Sequence, residues 1–285
     1  MAYGGTYEPH PSPPAGPPEL PQGVSSFPRW PAWYGPAALV GGFVIAIVAY
    51  LIVKTVAVAG GANPDRDSHT VTLIATILQD LILVATAVGL ASLTSKPHLW
   101  HFGLRRARFW PTVGWAALGF GCFWFFEVVY VVAVHPHGKQ HVTEDLGANG
   151  STFAIAAAAF AVIVVAPACE EIFFRGFFYR ALRTRMGIAS AALVDGLVFG
   201  AIHYGGSDTL EILPILAVLG IIFCLVYEAT GTIFSTIALH SINNTISYAA
   251  SVHDGVAPAL IFGACTIAAC ILVPRALPAR APALA

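Results

Sequence analysis

Glu170 and Glu171 stand side by side within an apolar run, and Arg175 follows four residues after the second of them. On a helix, neighbours point about 100° apart, while residues four apart share a face. Glu171 and Arg175 are therefore placed to pair, and Glu170 turns to another surface with no cation supplied by its own helix. A paired carboxylate stays ionised. One without a cation in an apolar setting is more basic and becomes a usable general base. Two further groups carry related chemistry. Phe199 and His203 lie one turn apart at the end of an apolar run, and His240 and Asn244 are again four apart. Histidine moves protons near neutral pH, and an amide donates hydrogen bonds without changing its charge. By helical rise, Glu170 lies about 18 Å and His240 about 14 Å from the ends of their helices on one common side, whereas His203 comes out at about 24 Å. Isolated acids at Asp80, Glu127, Asp195 and Glu228 are expected to be structural or to line a polar crevice.

The elements that position these residues must work in lipid. The chain has 285 residues, of which 57% are hydrophobic and only 10% charged. Soluble domains carry about 25% charged residues, so a water-soluble globule does not fit. A net charge of −1 offers no basic surface for nucleic acid. The five cysteines are scattered without CxxC spacing and predict neither a disulfide framework nor a zinc knuckle. Apolar runs near 36–59, 69–94, 111–134, 151–182, 187–204, 211–229, 231–250 and 257–273 approach the length needed to cross about 30 Å of hydrocarbon. Period-two alternation is absent. The expected fold class is all-α: a polytopic membrane helix bundle of about eight transmembrane helices.

Half of the twenty prolines fall within the first 36 residues, where no apolar periodicity develops. Residues 1–35 are therefore expected to form a disordered cytoplasmic tail. The long, nearly uncharged approach to Ala57-Val58-Ala59 argues against a cleaved signal peptide. With the tail inside, eleven basic residues fall on the cytoplasmic side and only Lys54, Arg66 and Lys139 on the other. That asymmetry predicts both termini in the cytoplasm. His98 and His101, beside Trp100, read as interfacial anchors. The outer cluster His135, His137, His141, Glu144 and Asp145 reads as a solvated loop rather than a metal site.

With these residues in hand, the chain resembles the CPBP family, the CAAX-protease and bacteriocin-processing intramembrane proteases. Glu170, Glu171, Arg175 and Gly176 match its first motif, Phe199 and His203 its second, and His240 and Asn244 its third. The run Tyr227 to Thr232 precedes the third motif as it does in the family, and His101 to Arg106 is a weaker echo. The likeness covers roughly residues 150–250, expected as the catalytic core. Residues 36–149 would be N-terminal transmembrane helices, and 251–285 a last helix with a short tail. The resemblance implies an endopeptidase of the bilayer, acting on a peptide or membrane protein, and the composition suggests a bacterial cell membrane. Glu170 would activate a water and His203 would position it and shuttle the proton. His240 and Asn244 would stabilise the oxyanion, Glu171 counts with them among the catalytic residues, and Arg175 and Phe199 are in structural support. A divalent metal such as zinc is left open, with Glu170, His203 and His240 as its ligands if present. Two other readings stay in play. One is a non-proteolytic scaffold or immunity protein of the same fold. The other is a proton-coupled transporter, for which the expected internal repeat is not seen.

Overall fold

The computed structural model describes residues 29–63, 68–138 and 141–277, and these form an all-helical bundle. Most of the tail expected over 1–35 lies outside the described residues, as do Arg66, Lys139 and Arg280. Eight principal helices follow in chain order: α1 Tyr34–Ala59, α2 Ser68–Ser92, α3 Phe109–Val134, α4 Thr152–Leu182, α5 Ile188–Ala201, α6 Leu213–Thr230, α7 Ile233–Ser251 and α8 Val256–Ala276. Six of them are long and apolar enough to cross a membrane. The other two differ for separate reasons. Helix α5 has only 14 residues. Helix α7 has 19, but His240, Ser241, Asn243 and Asn244 dilute its apolar character. Many large apolar side chains face outward, Phe125 of α3 being 73% exposed, as a lipid-facing surface requires.

Helix α1 packs along α2, α5 along α6, and α7 along α8, while α3 leans on α6 and α2 on the middle of α4. At the α5–α6 crossing the packing is set by small residues. A Cβ on Gly196 would lie 2.6 Å from the Ala217 carbonyl oxygen, and one on Gly220 would lie 2.8 Å from the Gly196 Cα. Backbones this close gain contact that lipid tails cannot replace. They also bring the Gly220 carbonyl within reach of α4.

The ends of the helices on the Leu182 side are tied by a turn at Leu99–Phe102. His98 and His101 are expected as interfacial anchors, but His101 is buried in protein, as is Trp100 beside it, and His98 is half-buried. The Arg180 guanidinium donates to the His101 carbonyl and lies over the Trp30 ring, 5.4 Å from its centroid. Trp30 itself is 1% exposed and packs on Phe102 and Phe177, so the bundle takes in the last residues of the segment read as a tail. An indole offers more apolar area than the proline-rich composition around it suggested. Burial, then the positive neighbours His98 and Arg180, push the His101 imidazole down to about 4. Its neutral Nδ1 accepts the His98 backbone N–H at 3.2 Å.

Candidate active site

Helix α4 is interrupted by two π turns, Ala161–Val165 and Phe174–Phe178, and the carboxylate pair lies between them. Such turns recur at functional sites because they re-aim side chains and free backbone groups. The first has a traceable consequence. The Ala166 N–H bonds the Ala161 carbonyl across the turn, and Pro167 has no N–H to give. The Val162 carbonyl is thereby left without a helical donor, and Asn244 Nδ2 of α7 supplies one at 2.8 Å. Asn244 thus ties α7 to α4 and keeps one further amide N–H.

Glu171 is committed. Its Oε1 accepts from Arg175 Nη1 at 2.9 Å, one turn along, with both side chains 0% exposed. Arg175 also donates through Nη2 to the Gly220 carbonyl at 2.9 Å and stands 3.6 Å from Asp195 Oδ1. Its guanidinium lies 4.6 Å from the Phe199 ring centroid and 5.1 Å from that of Phe223, so the planar cation is enclosed by aromatic faces. Asp195 accepts in addition from the Cys224 thiol at 3.1 Å. Gly176 is the next residue for a steric reason: a Cβ there would lie 2.7 Å from the Phe102 carbonyl oxygen.

His240 spans the two glutamates. Its Nδ1 stands 3.1 Å from the same Glu171 Oε1 and its Nε2 3.9 Å from Glu170 Oε2. Glu171, ionised by Arg175, can only accept, so Nδ1 must be the donor. In the neutral imidazole Nε2 is then the acceptor, facing Glu170. Glu170 Oε2 is buried and has no hydrogen-bond partner among the described residues. The two adjacent carboxylates therefore differ in kind: one is locked in an ion-pair network, the other is left with a reactive edge.

His203 sits just beyond α5, its Nδ1 2.7 Å from the Phe199 carbonyl. The Phe199 ring lies 4.9 Å from that of His203 and 5.8 Å from that of His240, so this phenylalanine touches both imidazoles. No hydrogen bond or ion pair joins His203 to Glu170 among the described residues. The structure brings Glu170, Glu171, Arg175 and His240 together; Asn244 lies one turn along α7 and bonds the Val162 carbonyl, and His203 shares the Phe199 ring with His240. Among the described residues no three His, Cys, Asp or Glu side chains are grouped so as to hold a metal ion. Glu170, His203 and His240 do not converge in the manner a zinc ligand set requires, and the donors present do not fit a resident metal.

Residues 152–246 match the family model described as Rce1-like, type II CAAX prenyl endopeptidase Rce1-like. That match, across a third of the chain, supports membership of the CPBP family. No curated protein and no solved structure matches it. The matched segment carries every site residue from Glu170 to Asn244, and the matched family supports a protease.

The fainter likeness in residues 101–106 has a physical basis within this chain. Ile233 N–H bonds the Gly103 carbonyl at 3.1 Å, Thr232 Oγ1 donates to the Arg105 carbonyl at 2.9 Å, and Arg105 Nε donates to the Gly231 carbonyl. The turn therefore clamps the Tyr227–Thr232 run and fixes where α7, with His240 and Asn244, begins. Beside it, Glu228 accepts from Tyr179 Oη at 2.8 Å and from Arg183 Nη2 at 3.0 Å, which accounts for an acid at a helix end. Sequence reasoning set Asp195 aside as a single acid; the adjacent Gly196, marking a close helix crossing, was the available signal that it faces protein.

Proposed function

We propose that the chain is an endopeptidase that cleaves peptide bonds within the bilayer by means of a water activated by Glu170. Both glutamates have a buried Oε2 without a hydrogen bond among the described residues. One observation carries the reading: Glu171 is held through Oε1 by Arg175 and His240, while Glu170 is paired with no arginine or lysine among those residues and its Oε2 lies 3.9 Å from His240 Nε2. A water within reach of both groups can pass a proton to Glu170 as its oxygen adds to the carbonyl carbon. The tetrahedral oxyanion then needs donors. Protonated, His240 donates from Nε2 while Nδ1 stays on Glu171, and Asn244 offers its second amide N–H; a donor of this kind accounts for about a hundred- to thousand-fold in rate. His203, beside the Phe199 ring that also touches His240, would take part in proton exchange only through water. The substrate is a peptide segment presented in the membrane.

The test is cleavage by purified protein in lipid nanodiscs of a panel of single-span peptides, with and without a prenylated C-terminal cysteine, and new termini read by mass spectrometry. Because the donors do not converge on a metal, cleavage is expected to survive exhaustive chelation. Activity lost in chelator and restored by zinc would overturn the metal-free mechanism. A folded protein that cleaves no member of the panel would overturn the peptidase reading.

The basic-residue asymmetry further supports an orientation with both termini in the cytoplasm, in a bacterial cell membrane. Reporters fused after Pro97 and after Ala285 are expected to be cytoplasmic, and one after His137 external. A cytoplasmic reporter at His137 would reverse the arrangement.

A further inference from the structure

Peptide hydrolysis needs an acid as well as a base, since the departing nitrogen must gain a proton. The residues matched to the family leave that donor unassigned. Asp80 of α2, outside the matched segment, is 4% exposed and makes no hydrogen bond or ion pair among the described residues. It continues the buried stripe of Leu83, Ala87 and Ala91, by which α2 faces the bundle. That face packs on Ala166–Phe173, the part of α4 that holds the glutamates. The depth agrees. Counted from Ser92 and from Leu182, the helix ends on one side of the bundle, Asp80 and Glu170 each lie about 18 Å in.

The charges around the pair are unbalanced. Glu171 and Asp195 have Arg175 between them. Asp80 and Glu170 have no cation of that kind, and His240 Nε2, 3.9 Å from Glu170, is the base within reach. Cys169 of α4 is the other titratable group that interacts with both carboxyls. Helix α1, packed along α2, contributes Lys54, placed about 10 Å nearer the opposite membrane surface by helical rise. His141, Glu144 and Asp145, in and beside the short Val142–Asp145 turn, meet α2 at its other end, where the Asp145 carbonyl lies 3.0 Å from His69 Nδ1. Two carboxyls that share an apolar layer with no cation between them repel when both are charged, so a proton on one favours the charge on the other.

We infer that Asp80 and Glu170 form a carboxyl pair that divides the acid and base work of hydrolysis, with Asp80 giving its proton to the departing amine. The inference rests on the peptidase reading. Glu170 takes one proton from water, and the resulting hydroxide oxygen forms a bond to the carbonyl carbon. The C–N bond then breaks, its electron pair passes to nitrogen, and Asp80 protonates that nitrogen. Transfer of the proton from Glu170 to Asp80 restores the starting state, and the products are one carboxylic acid and one amine.

Asp80→Asn in nanodiscs should cleave an amide substrate about a hundred-fold more slowly or worse. It should lose the alkaline limb of the kcat/KM–pH profile, because that limb reports the acid. On a matched ester substrate, whose leaving group needs no proton, the same variant should approach the wild-type rate. Equal losses on amide and ester with both limbs retained would make Asp80 structural and overturn the inference. Wild-type kinetics in Asp80→Asn beside an inactive Glu170→Gln would overturn it too, leaving the peptidase reading intact. Activity in Glu170→Gln would remove that reading itself. Should Asp80→Asn not fold, Asp80→Glu keeps the carboxyl and must shift the alkaline limb; an unshifted limb counts against the pair.

Discussion

Arg175→Ala is expected to destabilise the bundle by about 3–5 kcal/mol, the usual loss when one member of a buried ion pair is removed. The size of the effect follows from what Arg175 holds. Glu171 and Asp195 lie on different helices, and the Gly220 carbonyl lies on a third, so one guanidinium joins α4, α5 and α6. Without it two buried carboxyls face each other with no cation, and the faces of Phe199 and Phe223 lose the plane that fills the gap between them. Arg175→Lys should recover only part of the loss, because an ammonium cannot reproduce the fork that reaches Glu171 and Gly220 together. Combining Arg175→Ala with Glu171→Gln should restore part of the stability by removing one stranded charge. Melting curves in detergent provide the readout. An Arg175→Ala protein that melts like wild type would show that the network contributes nothing to folding.

Much of this network was legible in the chain before any coordinates. Runs of apolar residues marked the helices because hydrocarbon requires them, and the observed α3, for instance, spans Phe109–Val134 where 111–134 was expected. The i,i+4 spacing of Glu171 and Arg175 is a property of one helix, so the pair could be read directly. What could not be read depends on how helices cross. Asp195 and the Gly220 carbonyl become partners of Arg175 only because glycines let α5 and α6 approach closely. Asn244 was read as an oxyanion donor, yet one of its N–H groups is spent on the Val162 carbonyl, which is free only because of the π turn before Pro167. The depth arithmetic set His203 apart from Glu170, and in the structure that histidine packs on Phe199 and is joined to Glu170 by no hydrogen bond among the described residues. Trp30 shows a different limit. Composition averages over a window, and one indole at the end of a proline-rich stretch is enough to anchor it in the core.

Glu170→Gln is expected to abolish turnover while leaving the bundle folded. Gln keeps the shape of the side chain and loses only the proton acceptor, and Glu170 holds up no ion pair with an arginine or lysine whose removal would loosen the helices. Glu171→Gln should behave in the opposite way. It leaves Glu170 chemically intact but deprives Arg175 and His240 Nδ1 of the charge they share, so its first effect should be on stability. Chemistry assigned to one glutamate and structure to its neighbour is the central claim. It is tested most directly by running both variants beside wild type in one cleavage assay, with a melting curve for each. The account predicts no product from a Glu170→Gln protein that melts like wild type, and a lowered melting point for Glu171→Gln. Full cleavage by Glu170→Gln would contradict it.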